Sequence, residues 1–378
     1  MALFGLVESE DNLTIILRPS FSFMQQRFHL TGLDALRGLA ALYVMLRHYT
    51  ERFNDIYPEF PKPIYELKSY PAVWMFFIIS GFVIFLSLGH NSTPRKFAEA
   101  RFWRLYPAFW AAVLITFVLV TLFGLPKREA SFGEMLFNLT MIPDVWEGWN
   151  VAYVDGAYWS MQVLWFFYAL VFVVICFKAR THIPWIFLGL LSLSILDNRL
   201  WKQNTSHSMQ LLRTVTNLDM IHWFAMGMCI YRWTITPRLE RNQQILTWGV
   251  FLFTLLAIRL RLGSTMMFYG IFLFVLVFLG VLGRLKWLEH RPFIFLGTIS
   301  YSLYLVHQNI GYLVMRAGLA ANLNIHLCII LAVIVALAIA TLLTFTIELP
   351  VTAWFKRQTR RTQEPQKDSL IAPTSSSP

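Results

Sequence analysis

Ten stretches of the chain stay largely apolar for 14 residues or more, and nothing else restricts the fold so strongly. They run over 30–50, 71–88, 105–125, 156–177, 183–196, 214–231, 244–258, 262–283, 293–315 and 325–347. A helix that crosses a bilayer needs ~20 mostly apolar residues. The pattern therefore predicts an all-α polytopic membrane protein of about ten transmembrane helices. The runs at 183–196 and 244–258 are only 14 and 15 residues long and need polar flanks to complete a crossing. Composition agrees, because only 14% of the 378 residues are charged, against about 25% in an average soluble domain. With 57% hydrophobic residues, 33 Phe and 14 Trp, a disordered chain, a coiled coil, a disulfide scaffold and a large soluble enzyme are all excluded.

The connections carry further information. The 19 Lys and Arg on one side of the predicted topology outnumber the 11 on the other, with two inside the first run, and this bias places both termini in the cytoplasm. The same distribution accounts for the net charge of +11 without a nucleic-acid partner, since the basic residues lie between apolar runs and form no single stripe. Cys176, Cys229 and Cys328 sit singly in apolar stretches, so neither a disulfide framework nor a metal site is expected. The expected organisation is a cytoplasmic N-terminal tail over 1–29, a membrane domain over 30–350, and a basic then polar cytoplasmic tail over 351–378, disordered from 362 onward. No secretory signal is read at the start, where Glu8, Glu10 and Asp11 interrupt the apolar residues. Two long outer connections, 51–70 and 126–155, mix acids, aromatics, Pro and Gly. They suit either a lid facing an acceptor or an ordinary interfacial connection.

Charged residues inside the first run point to function, because one at mid-membrane costs about 2.5–3.5 kcal/mol on insertion scales. Arg37 and His48 are eleven residues apart. At ~100° per residue they are offset by about 20° beyond three turns, hence share a face, and lie ~16 Å apart along the axis. Arginine offers a fixed fork of donors for phosphate, and histidine exchanges protons near neutral pH. The pair reads as an anion site on the inner side and a base toward the outer side. Asp34, one turn before Arg37, is placed to pair with it, whereas Arg47 reads as a snorkelling anchor.

The ninth run brings Ser300, Tyr304 and His307 onto one helix side at i, i+4 and i+7, either as site residues or as hydrogen-bonding residues between packed helices. Further polar marks are Ser80 in FFIISGF, Trp159 and Ser160 in AYWSMQ, and Glu348 before Pro350. Close helix packing explains Ser80 and Ser160 equally well. Arg101 and Arg104 in RFWRLYP precede the third run on the inner side. They suit positive-inside anchoring or a grip on a phosphorylated ligand arriving from the cytoplasm.

Taken together these motifs resemble the acyltransferase-3 family of integral membrane O-acyltransferases. The matching segments are LDALRGLAALYVMLRH, FFIISGF, RFWRLYP, YWS, LGTISYSLYLVH and IELP, in the family's order across nearly the whole chain. The resemblance implies a ten-helix core and an acyl-CoA donor, most simply acetyl-CoA, entering from the cytoplasm. It implies His48 as the essential catalytic residue with Arg37 at the donor site, and Ser300, Tyr301 and His307 within the shared core. One departure stands out. Where relatives commonly carry an acidic residue after the WS motif, this chain has Leu164. No fused esterase-like domain is expected, and the chain reads as a stand-alone acyltransferase.

Acyl transfer from a thioester to a hydroxyl needs a base, oxyanion donors and a grip on the leaving group. The expected assignment gives His48 the proton. Arg37, Arg101 and Arg104 take the coenzyme phosphates, and Ser80, Trp159, Ser160, Ser300, Tyr301, Tyr304, His307 and Glu348 line the site. No metal is expected. The expected acceptor is a carbohydrate or lipid-linked glycan, and the expected location a bacterial inner membrane, with lipids as the surrounding partners. The competing reading is a proton-coupled transporter of a sugar or lipid-linked intermediate that uses Arg37 and His48 as a relay. It is disfavoured because Asp219 and Glu348 lie toward the ends of their runs and Asp34 near the inner face.

Overall fold

In the computed structural model, the described residues are 30–67, 72–88, 93–149, 151–201, 213, 216–236 and 239–361, and they form helices and short connections with no strand among them. The predicted tail over 1–29, residues 362–378 and most of the connection before 216 fall outside this set. The helices are α1 (Leu30–Arg47), α2 (Ala72–Leu88), α3 (Pro94–Phe123), α4 (Trp159–Cys176), α5 (Ile183–Leu196), α6 (Ile221–Thr234), α7 (Arg241–Leu262), α8 (Ser264–Val281), α9 (Arg291–Ala320), α10 (Ile325–Leu343) and α11 (Leu349–Arg361). Five segments among the described residues have the length and apolarity to cross a membrane: α3, Gly156–Cys176, α7, α8 and Ile325–Thr359; α2 is apolar but shorter.

Local chemistry explains where the helices depart from the apolar runs. α3 begins eleven residues before its run, because Thr93 caps it by accepting from the Lys96 N–H and Pro94 occupies the first turn. Arg101 and Arg104 therefore lie inside a continuous helix. α7 extends its run by Arg241–Gln243 before it and Arg259–Leu262 after it and reaches 22 residues. α6 begins later than its run, after Asn217 in a left-handed conformation and a single 3₁₀ turn, Leu218–Met220.

α1 lies along α9, α9 along α10, and α2 along α6. The α1–α9 contact is backbone against backbone. A methyl group on Gly38 would stand 2.5 Å from the Gly297 nitrogen, and one on Gly297 would meet the Asp34 carbonyl. Small residues permit this approach in a bilayer, where dispersion and hydrogen bonds replace the hydrophobic drive. On the other side of the site, Phe224 of α6 stacks on Phe167 of α4 at 3.9 Å and tilts against Phe77 of α2 at 5.2 Å.

Three helices end in wide π turns among the described residues: His48–Arg52 follows α1, Asp197–Trp201 follows α5, and Thr344–Glu348 joins α10 to α11. Such turns insert a residue into the helical ladder and recur at functional sites. The long connection after α3 is folded on itself. Ser131 and Glu134 form a capping box for the short helix Phe132–Asn138. The Asn138 amide donates to the Ala152 carbonyl at 2.8 Å, and Asn138 Oδ1 accepts from the Val154 N–H at 3.1 Å.

Candidate active site

Between α1, α2, α3, α4 and α9 lies a cavity of about 130 Å³. Its polar wall is made by Arg37, Ser80, Arg101, Arg104, Ser160, Tyr168, Ser300, Tyr301 and Tyr304, and its apolar wall includes Val73, Phe76, Phe77, Met161 and Leu164. Five of the eight residues expected to line a site fall in the lining of this cavity. Of the other three, Trp159 is 36% exposed and meets Phe77 edge-on, Glu348 lies behind Arg104, and His307 lies behind Tyr304.

The three arginines are held differently. Arg37 Nη1 donates to Asp34 Oδ1 at 3.1 Å, and Nη2 donates across to Ser300 Oγ, also at 3.1 Å. Ser300 in turn donates to the Gly297 carbonyl, so α1 and α9 are tied where their backbones are closest. Arg104 pairs with Glu348, which is 2% exposed; Ser302 Oγ donates to the other carboxylate oxygen at 2.9 Å. The guanidinium of Arg101 lies 5.6 Å from the ring centres of both Phe97 and Tyr168, and its buried Nε has no hydrogen-bond partner. Aromatic packing thus orients one cationic group whose donors are left for a ligand. Leu164 lines the same cavity and supplies no counter-charge to that wall.

At the other end Tyr304 closes the cavity. Its hydroxyl is 2.8 Å from Ser160 Oγ and 3.2 Å from the Ala157 carbonyl. Behind it stand two imidazoles, His48 and His307, edge-to-face with centres 5.0 Å apart. The His307 Nδ1 is 2.8 Å from the Tyr304 carbonyl, a partner that can only accept, so Nδ1 carries the hydrogen and Nε2 keeps its lone pair. That Nε2 is buried and unpartnered. The His48 Nδ1 has the Tyr312 hydroxyl at 3.5 Å. The structure thus brings Arg37, Ser300, Tyr301, Tyr304, His48 and His307 onto the α1–α9 seam, with the histidines one layer beyond the cavity.

Several residues that hold this seam carry no local signature. Tyr49 donates to the His307 carbonyl at 2.6 Å, and its ring occupies the space a side chain at Gly311 would fill. Asp155, at the end of the long connection, accepts from the N–H of Ala157 and from the N–H of Asn309, two residues after His307, each at 2.9 Å. The Asn309 amide returns a bond to the Val154 carbonyl at 2.8 Å. Burial pushes the Asp155 carboxyl up to about 6, against the opposite pull of the two N–H groups and Arg128. The cluster Gln308–Asn309 directly after His307, in an otherwise apolar helix, was the available signal that a loop docks there. No group of three metal-ligating side chains is found among the described residues.

Comparison with known proteins gives a consistent picture. The profile of the acyltransferase domain family matches residues 30–347, which includes every residue of the cavity and the histidine pair. The chain is 38% identical over 121 residues to "Protein 2 in picA locus" of Rhizobium radiobacter, an alignment covering 28% of this chain and 59% of that protein. The chain thus spans about three fifths of that relative's length. No solved structure matches.

Proposed function

The chain belongs to the acyltransferase-3 family, and from that premise we propose that it is a membrane O-acyltransferase moving an acetyl group from cytoplasmic acetyl-CoA to a hydroxyl of a carbohydrate acceptor. The observation that carries this reading is the paired arrangement on one seam: a cavity with three guanidiniums at one end, and His48 beside His307 beyond Tyr304 at the other. Bound acyl-CoA supplies the activated thioester. Arg101, whose guanidinium has no acidic partner among the described residues, takes the phosphate contacts, with Arg37 and Arg104 completing the cationic wall. His48 accepts the proton of the acceptor hydroxyl, and His307 holds the adjacent position from which a proton is relayed. In this reading the Tyr304 and Ser160 hydroxyls, which donate to the Ala157 carbonyl and to one another without ligand, would exchange one of those bonds for the acyl oxygen as charge develops there.

In this reading the protein crosses a bacterial inner membrane about ten times with both termini in the cytoplasm, as the basic connections favour. The test uses purified protein in nanodiscs with radiolabelled acetyl-CoA and a crude glycan or lipid-linked sugar extract. Wild-type protein transfers label to the extract, and His48→Ala, folded to the same extent, loses at least ~100-fold, the usual worth of a general base. Undiminished transfer by folded His48→Ala overturns the assignment.

A further inference from the structure

A second concavity lies away from the arginine cavity, between α3, α9 and α10. Its walls are Leu119, Phe123, Ile310, Leu313, Ala317 and Val335, and its volume of about 550 Å³ falls within the range of ~300–1,000 Å³ usual for small-molecule sites. One residue breaks its apolar character. Arg316 stands in the lining with its Nε buried and without a hydrogen-bond partner. No acid pairs with it among the described residues.

The surroundings of Arg316 add charge of the same sign. Its guanidinium lies 5.2 Å from the centre of the Tyr57 ring, and the Lys127 ammonium lies 5.7 Å from the same ring. The turn after α3 folds Lys127 back toward the protein, with Gly124 at φ +69 and Lys127 itself at φ +67. Arg128 follows, against Gly156. The acids acting on Tyr57 are the exposed Glu59 and Glu129. Two cations sharing one aromatic ring at the end of an apolar groove match a ligand with an anionic head and a hydrocarbon tail. Tyr57 also connects this point to the reaction centre: its ring is 6.3 Å from that of Tyr312, whose hydroxyl faces His48.

We propose that the groove between α3, α9 and α10 binds a lipid phosphate, with its hydrocarbon chain in the groove and the phosphate on Arg316, and that this is how the acceptor is presented to His48. The role as acceptor anchor rests on the acyltransferase reading; the binding does not. A head group seated on Arg316 and Lys127 extends over Tyr57 and Tyr312, so a sugar attached to the phosphate reaches the histidine pair from the side opposite the arginine cavity.

The experiment uses the full chain in detergent with a diazirine-bearing C20 isoprenyl phosphate, no acyl donor, and peptide mapping of the photolabel. Label is expected on peptides covering 119–124, 310–317 and 335–339. Unlabelled isoprenyl phosphate should compete, whereas the uncharged isoprenol and inorganic phosphate should not. Arg316→Gln should cut labelling about tenfold, the worth of one charge-assisted contact, with Arg316→Lys retaining most of it; Ala317→Trp should block the groove. Label spread evenly over the lipid-facing helices, competition by inorganic phosphate alone, or equal labelling of Arg316→Gln overturns the site. Because no donor is present, these outcomes are independent of whether the protein is an acyltransferase. In the transfer assay, Ala317→Trp should lose acylation of a lipid-linked acceptor while still binding acetyl-CoA. Unchanged acylation by a variant that no longer labels overturns the acceptor role alone.

Discussion

Gly38→Ala tests the α1–α9 seam most directly. The added methyl would stand 2.5 Å from the Gly297 nitrogen and the Leu296 carbonyl carbon, and contacts below 3.4 Å are already tighter than nine in ten real ones. Both obstacles are backbone, so relief requires the helices to part by about 0.9 Å, the difference between these distances. That movement lengthens the Arg37–Ser300 hydrogen bond from 3.1 Å to ~4 Å, beyond bonding range. Overpacking costs about 1–3 kcal/mol, and the lost bond to a charged group adds ~1 kcal/mol or more. The sum, about 3 kcal/mol, corresponds to a fall of roughly 6 °C in the melting midpoint at ~2 °C per kcal/mol. The assay is detergent thermal unfolding followed by size-exclusion fluorescence, alongside acetyl-CoA binding, which should weaken with Arg37 displaced. Gly189→Ala is the matched control, since nothing lies within 4 Å of that position and the change removes the helix cost of glycine, about 1 kcal/mol. A Gly38→Ala protein that melts with wild type and binds donor equally refutes the argument.

Three further outcomes follow from the site. Glu348→Gln leaves Arg104 without its buried counter-charge and should cost about 2–3 kcal/mol in thermal unfolding, discounted from the ~3–5 of a fully buried pair because the Arg104 side chain is 33% exposed; an unchanged midpoint contradicts this. Arg101→Ala, which breaks no hydrogen bond among the described residues, should raise the KM for acyl-CoA about tenfold with kcat unchanged, the signature of lost uniform binding, and a fall in kcat at constant KM contradicts it. Asp155 titrates at about 6 in the folded protein, above its unfolded value. The folded state therefore holds the extra proton, and the associated stability, about 3 kcal/mol, is fully present below pH ~4 and lost as pH rises through 6. Asp155→Asn should flatten that slope in melting midpoints measured from pH 4 to 7, and an unaltered slope assigns it to another group.

The amount of this that could be read beforehand differs by type of contact. Helix-forming runs were legible because apolarity alone specifies them, and their ends were misplaced where a cap or polar flank extends the helix, as at Thr93 and around Arg241 and Arg261. Arg37 with Asp34 is a one-turn neighbour and was visible in the spacing. The Arg37–Ser300, Arg104–Glu348 and Asp155–Asn309 contacts join residues 263, 244 and 154 positions apart. No periodicity encodes such partners, so Glu348 was expected to line a site whereas it balances an arginine from behind. Asp155 read as an ordinary loop acid for the same reason, since its meaning depends on which helix the loop meets.

The placement of Arg37 within α1 and of His48 at the first position of the π turn that continues it has a consequence for donor choice in the proposed reading. The ~16 Å of axial rise between them is fixed by the backbone, and Tyr304 stands between the arginine end and the histidines. A small activated acyl compound, with its phosphate bonded directly to the acyl group, cannot touch both ends together. A donor whose charged head and thioester are separated by a long flexible arm can. On the proposed acyl-transfer reading the helix would act as a ruler that selects donors by reach, and shortening or lengthening it by a whole turn between Arg37 and His48 would put that reach out of register without altering a single contacting side chain.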